Sequence, residues 1–329
     1  MSGGRFWDLA GAFAQPATVV LVGGAVAVIL GAAAIIFALA RAGKVGPALE
    51  KELWLRTFSW GLIVPAIVVP VLIGPGWAIL AVGALGLLCY QEYARATGLF
   101  REPAVSAAVV AGVLAITFAS LDHWYGFFVA LFPLGVVVIA IASIPQDRPE
   151  HYIQRTALGV FGFLLFGVGL GHLGFIANDP LYRPVILMIV FAVAVSDVSA
   201  FTTGKLIGGP KLLPATSPNK TISGSLGALA AATLFVTLVV GAIYGPALAL
   251  WQRVLLGLLI GACAQLGDLM LSSIKRDLHI KDMGTVIPGH GGILDRFNSL
   301  LLVSPAVFHF VHYLIGFGET QPIRLISGP

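Results

Sequence analysis

Four carboxylates, Asp268, Asp277, Asp282 and Asp295, and four cations, Lys275, Arg276, Lys281 and Arg296, are concentrated between Gly267 and Asn298 of an otherwise apolar chain. The same stretch carries a glycine-rich turn, Pro288-Gly289-His290-Gly291-Gly292. Carboxylates bind hard divalent cations such as magnesium, which prefers oxygen ligands and bridges to substrate phosphates. Lysine and arginine neutralise phosphate oxygens, and glycines let backbone amides come close to an anion. Cation, anion and backbone donors in one segment point to phosphoryl or nucleotidyl transfer.

A second polar patch occupies residues 197–227. Asp197 lies near the end of an apolar run, where a carboxylate is costly unless it is paired or faces water, so a functional role is the expectation. The alternative is a carboxylate that caps or bonds a neighbouring helix. Ser217-Pro218-Asn219-Lys220-Thr221, with Gly224 close behind, reads as a tight turn into the next apolar run. Thr221 or Ser223 would cap that helix. Its start would then offer backbone amides and a positive dipole end to an anion beside Lys220.

The elements that must hold these patches are membrane spans. The 329 residues are 58% hydrophobic and 10% charged, with a mean hydropathy of +0.96. Soluble domains carry roughly 25% charged residues. The expected fold class is all-α, a polytopic membrane bundle of about ten transmembrane helices of ~20 residues each, with polar loops forming the site. The apolar windows fall near 17–40, 57–74, 76–92, 104–120, 125–144, 156–176, 184–203, 225–244, 251–271 and 299–317. Gly74-Pro75-Gly76 makes a helical hairpin of the second and third, and Pro65 and Pro70 are expected to kink the second. Residues 1–16 read equally as a short interfacial helix or as a disordered start.

Lysine and arginine count the sides of the membrane. Loops after the odd-numbered spans hold 15 of the 19, whereas the other side holds only Arg5, Arg183, Arg253 and Arg324. Both polar patches therefore share the expected cytoplasmic face, and both termini lie outside. The net charge of +4 is scattered through short loops, which argues against nucleic acid. Cys89 and Cys263 sit in apolar runs and read as packing residues. The organisation reads as an amino-terminal bundle, residues 1–180, followed by a catalytic half, residues 181–329.

The order of residues is more specific than their types. Ser272-x-Ile274-Lys275-Arg276, then Lys281-Asp282-x-Gly284, then Pro288-x-His290-Gly291-Gly292-Ile293-x-Asp295-Arg296 closely resembles the signature of the phosphatidate cytidylyltransferases, or CDP-diacylglycerol synthases. The Ser217–Gly224 patch is similar to the same family, in the same order along the chain. Asn298 stands where that family closes with aspartate, Asn219 where it has lysine, and Ser223 where it has glutamate.

The resemblance implies a multi-pass protein of the bacterial inner membrane that takes CTP and phosphatidate, and it implies a homodimer. It implies Asp268, Asp295 and Asn298 around magnesium, with a second cation in a two-metal arrangement. Lys275, Arg276, Asp282, His290, Asp295 and Arg296 match the catalytic signature. Ser217, Lys220, Thr221, Lys281, Gly291 and Gly292 match substrate-binding positions. His290 reads as a loop-ordering or phosphate-bonding residue more than a proton carrier, because a phosphate monoester is already an anionic nucleophile. Asp277 lies off the pattern and reads as a solvated partner of neighbouring cations. His309 and His312 read as helix-packing residues, and Glu92 as a headgroup-level residue paired with Arg95.

Three other readings accompany this one. A related enzyme would use another lipid phosphate or another nucleotide. Asn298 and Ser223 motivate a catalytically weakened paralogue that binds lipid or a protein partner. A transporter would need ionisable residues at the centres of several spans, and here the charges gather at one face.

Overall fold

Proline sets the starts of the first long helices. Its fixed φ suits the first helical turn, where its missing N–H costs no bond. A computed structural model describes residues 3–44, 46–287, 291–316 and 324–328. After the short α1 (Gly3–Phe6) come α2 (Pro16–Arg41), α3 (Pro47–Ile73), α4 (Pro75–Thr97) and α5 (Pro103–Leu121), all four opening on proline. Then follow α6 (Tyr125–Ala142), α7 (Tyr152–Gly162), α8 (Leu170–Ile176) and α9 (Tyr182–Ile207). The chain closes with β1 (Lys211–Leu213), β2 (Ser217–Thr221), α10 (Ile222–Tyr244), α11 (Leu250–Asp277), α12 (Leu294–Phe297) and α13 (Leu300–Ile315). A π-helical stretch, Phe163–Gly169, joins α7 to α8 into one span.

Among the described residues, ten helical segments are long and apolar enough to cross a membrane, as the hydropathy windows predict. The surface agrees with that reading. Val20 and Val28 are 72% exposed, and Leu30, Leu206 and Leu238 are exposed as well, so the helices carry a broad apolar coat. A coat of that kind on a water-soluble monomer would exceed any ordinary apolar patch. The sixth segment, Tyr152–Ile176, is the axis of the bundle: 83% of its apolar window is buried, against half or less for every other. One continuous core runs around it from Leu21 to Val311.

Two details differ from the sequence expectation. The expected turn at 217–221 is half of an antiparallel hairpin, with Lys211 opposite Thr221 and Leu213 opposite Ser217. The last segment is divided, because α12 ends at Phe297 before α13 begins at Leu300.

The amino-terminal residues are packed rather than loose. Arg5 donates to the Ser120 carbonyl at 2.9 Å and to Asn178 at 2.7 Å, and Arg183 pairs with Asp8 at 3.0 Å. On the same end, Asp122 accepts bonds from the Ile326 and Ser327 amides and from the Ser327 hydroxyl, clasping the carboxy-terminal tail. Burial pushes the Asp122 carboxyl up, but the Ser327 hydroxyl, the two amides and Arg324 outweigh it and hold the group below its ordinary value. A depressed carboxylate stabilises the fold above its unfolded pKa and loses that contribution as pH falls through the folded one. Hydrogen exchange at Ile326 and Ser327 is therefore expected to accelerate below about pH 4, after correction for intrinsic rates. Asp122→Ala should show the faster exchange at every pH.

Candidate active site

The polar segment is built on the end of α11. At 1.5 Å per residue this 28-residue helix is about 42 Å long, more than the ~30 Å hydrocarbon core. Its last turns, with Lys275 and Arg276, therefore stand clear of the apolar layer. The helix stops at Leu278, and His279 takes a left-handed φ of 56° that turns the chain back across the bundle end.

Asp295 organises the returning segment. Its side chain is 3% exposed and accepts from the Lys275 ammonium at 2.8 Å, the Met283 amide at 2.8 Å and the Gly292 amide at 3.0 Å. One carboxylate thus joins α11, the Asp282 turn and the glycine-rich turn. Gly291 sits at φ 80°, a left-handed conformation that favours glycine. A Cβ there would lie 3.1 Å from Asp295 and 3.3 Å from Asp282, so both carboxylates converge on its backbone.

The other anchor comes from the amino-terminal half. Glu92 on α4 is buried, and its two oxygens accept from the Ile293 amide at 2.9 Å and the Leu294 amide at 2.8 Å. A carboxylate here satisfies orphan amides at the start of α12 and complements its dipole end. A Cβ on Gly284 or Gly292 would collide with that carboxylate. This corrects the sequence expectation of a headgroup-level Glu92–Arg95 pair: both oxygens serve amides about two hundred residues away along the chain.

The second patch meets the first through α10 and the hairpin. Thr221 caps α10, accepting from the Gly224 amide at 3.1 Å. Lys220, one residue earlier, reaches Asp268 on α11 at 2.5 Å. Arg276 donates to the Thr216 carbonyl in the hairpin turn at 3.3 Å. Asp197 on α9 is surrounded by protein yet open to solvent, and it feels the charges of Asp268, Lys220 and Arg296. Two carboxylates and two cations, from three helices and a β-strand, therefore share one cleft.

Asn298 lies under this cleft, 5% exposed. Its side-chain amide donates to Asp268 at 2.8 Å, and its carbonyl oxygen accepts from the Ser299 amide at 2.7 Å. A donor on one side and an acceptor on the other fix which way the amide points. Of the three residues proposed around a metal, Asp268 presents a partly exposed carboxylate whose two oxygens meet Lys220 and the Asn298 amide. Asp295 and Asn298 are buried, with their oxygens bonded inside the segment.

No group of three or more His, Cys, Asp or Glu side chains forms a metal set among the described residues. Magnesium does not require one: it usually binds one or two carboxylates and completes its shell with water and substrate phosphate oxygens. Asp268 and Asp197, hard donors in one solvent-open cleft, fit that requirement.

Lys281 and Asp282 are exposed at the turn, and Ser217 starts β2. Gly291 and Gly292 face the two carboxylates that fold the loop. His290, with Pro288 and Gly289, lies outside the described residues. His309, expected to pack, does so through a 3.1 Å contact with His172 inside a phenylalanine cluster.

The fold and the site together define a polytopic helical membrane protein with a compact charged cleft at one end of the bundle. The chain belongs to the cytidylyltransferase family, whose pattern it matches over residues 54–314. It is 32% identical over 245 residues to a phosphatidate cytidylyltransferase of Brucella abortus, covering 72% of this chain and 84% of that one. It is 39% identical over 176 residues to a phosphatidate cytidylyltransferase of Staphylococcus saprophyticus, covering 54% and 66%. It is also 29% identical over 271 residues to the uncharacterised protein YnbB of Escherichia coli, covering 80% of this chain and 88% of that one.

Proposed function

We propose that this protein transfers the cytidylyl group of CTP to phosphatidate, giving CDP-diacylglycerol and pyrophosphate. One observation carries the reading. The two polar patches meet through the Lys220–Asp268 pair, and both belong to a family whose relatives at 32% and 39% identity are phosphatidate cytidylyltransferases.

A phosphate oxygen of the lipid attacks the α-phosphorus of CTP, and the bond from that phosphorus to the bridging oxygen breaks as pyrophosphate leaves. No general base is required, because the lipid phosphate is already anionic. Lys220, Arg296 and Lys281 offset the triphosphate charge and the charge that develops on the leaving group. Magnesium, held by Asp268 with Asp197, would supply charge neutralisation and orientation of the triphosphate. Lys275 and Arg276 act as positioning residues through Asp295 and the hairpin turn. Asn298 positions Asp268. The excess of lysine and arginine on this side supports a cytoplasmic cleft in the inner membrane, with both termini outside.

Pyrophosphate release from CTP by the purified protein tests this reading. It should require phosphatidate and magnesium together, and ATP or GTP should not replace CTP. Release that ignores phosphatidate would contradict it.

Asn298→Asp gives a separate prediction. A carboxylate would replace the amide 2.8 Å from Asp268 and repel it. The variant is expected to melt several degrees lower in chelator, with most of the loss recovered in magnesium, whereas the native chain changes less. Equal melting of the two in chelator would contradict this role for Asn298.

A further inference from the structure

Beneath the signature segment lies a cavity of about 440 Å³ between α3, α4, α8, α9 and the chain around α12. Every side chain lining it is aliphatic or phenylalanine. Nothing there bonds a nucleotide or an ion. Its roof is made by Val286, Ile287, Ile293 and Phe297 of the signature segment, and its far end by Val71 and Ala78. Its wall on α4 runs from Ala78 to Leu88, ten residues or about 15 Å of helix, half of the ~30 Å hydrocarbon core and so one leaflet. Leu62 and Leu88, 58% and 43% exposed, stand at the side that faces the bilayer.

We infer that this cavity holds one acyl chain of the lipid phosphate substrate. The inference rests on the function proposed above and extends it to the part of the lipid that the charged cleft cannot recognise. Three features select this occupant. The lining is wholly apolar, the length is one leaflet, and the roof is continuous with the site. Phe297 precedes Asn298, whose amide holds Asp268, and the Ile293 amide donates to Glu92. A chain seated here carries its headgroup to the cation side of the cleft. Ala66, Ala81 and Ala84 leave the space open, and larger residues there would fill it.

The experiment uses the full chain in detergent, with a phosphatidate bearing a photoreactive diazirine at the end of one acyl chain. Cross-linked peptides are mapped by mass spectrometry, and CTP turnover is followed in parallel. The expected labels lie on α3 and α4 between Leu62 and Leu88 and on Val286, Ile287, Ile293, Phe297 and Leu300. Excess phosphatidate should compete them away, but phosphatidylcholine should not. Ala81→Leu should reduce the labelling at least about fivefold by occupying the space. Leu80→Ala, on the exposed face of α4 and outside the lining, should retain it. Competitive labelling of the cavity without CTP turnover would support the lipid site and overturn the enzymatic reading instead. Turnover with the label elsewhere, or labelling equally displaced by phosphatidylcholine, would overturn the acyl-chain site.

Discussion

Asp295→Ala is expected to abolish CTP-dependent turnover, leaving less than about 1% of native activity, because a misplacement of even 1 Å among reacting groups costs on the order of a hundredfold. The loss has a defined structural cause. The buried carboxylate is the common acceptor for Lys275, Met283 and Gly292, so its removal releases three parts of the segment at once. It also strands the Lys275 ammonium, which is only 14% exposed. Breaking a buried ion pair from one side costs about 3–5 kcal/mol, most of it the penalty of the unpaired charge.

That penalty separates positioning from stability. In Asp295→Ala combined with Lys275→Met, the stranded charge is gone and thermal stability should largely return. Activity should stay lost, because the Met283 and Gly292 amides still lack their acceptor. Turnover and melting temperature, measured on the single and double variants, decide the matter. Activity restored together with stability would show that Asp295 serves folding alone.

Glu92→Ala should reduce turnover roughly ten- to a hundredfold and lower stability. Two buried amides would lose a charged acceptor, at about 1.5–3 kcal/mol for each such bond. Glu92→Gln keeps the size but can accept at only one of its two ends, so an intermediate loss is expected. Arg95→Ala is the decisive comparison, because a local Glu92–Arg95 pair would make both substitutions harmful. The bonding of Glu92 to Ile293 and Leu294 predicts near-native turnover for Arg95→Ala. A large loss at Arg95 with a small one at Glu92 would contradict the capping role.

The residues that sequence reasoning could find are those whose signal is local. Ten apolar windows and the Gly74-Pro75 hairpin are set by hydropathy and by the φ of proline, and the ten segments appear where those windows lie. Thr221 was legible as a cap because its acceptor role needs only the three residues that follow it. Glu92 was not. Its partners are 201 and 202 residues away, and beside Arg95 a glutamate looks like a solvated surface charge. The one available signal was a carboxylate just beyond an apolar run, next to two tyrosines that both turn out to be buried.

Asn298 raises the same difficulty. Type and spacing identify it as an oxygen donor, but its orientation depends on Asp268 and Ser299 together, which only the folded arrangement of α11 and α13 supplies. The hairpin at Lys211–Thr221 was hidden for a different reason: β1 is only Lys-Leu-Leu and the polar β2 carries Pro218, so no period-2 pattern exists to be read. The apolar cavity was equally invisible, since its walls come from segments that each look like ordinary membrane helix.

The central claim is that the α-phosphoryl group of CTP ends on a membrane lipid. Purified protein supplied with phosphatidate and magnesium should carry label from [α-³²P]CTP into the organic-extractable CDP-diacylglycerol fraction. Label from [γ-³²P]CTP should appear only in pyrophosphate. Label from the γ-position in lipid would identify a lipid kinase, and absence of α-label from lipid in the folded native protein would contradict cytidylyl transfer altogether.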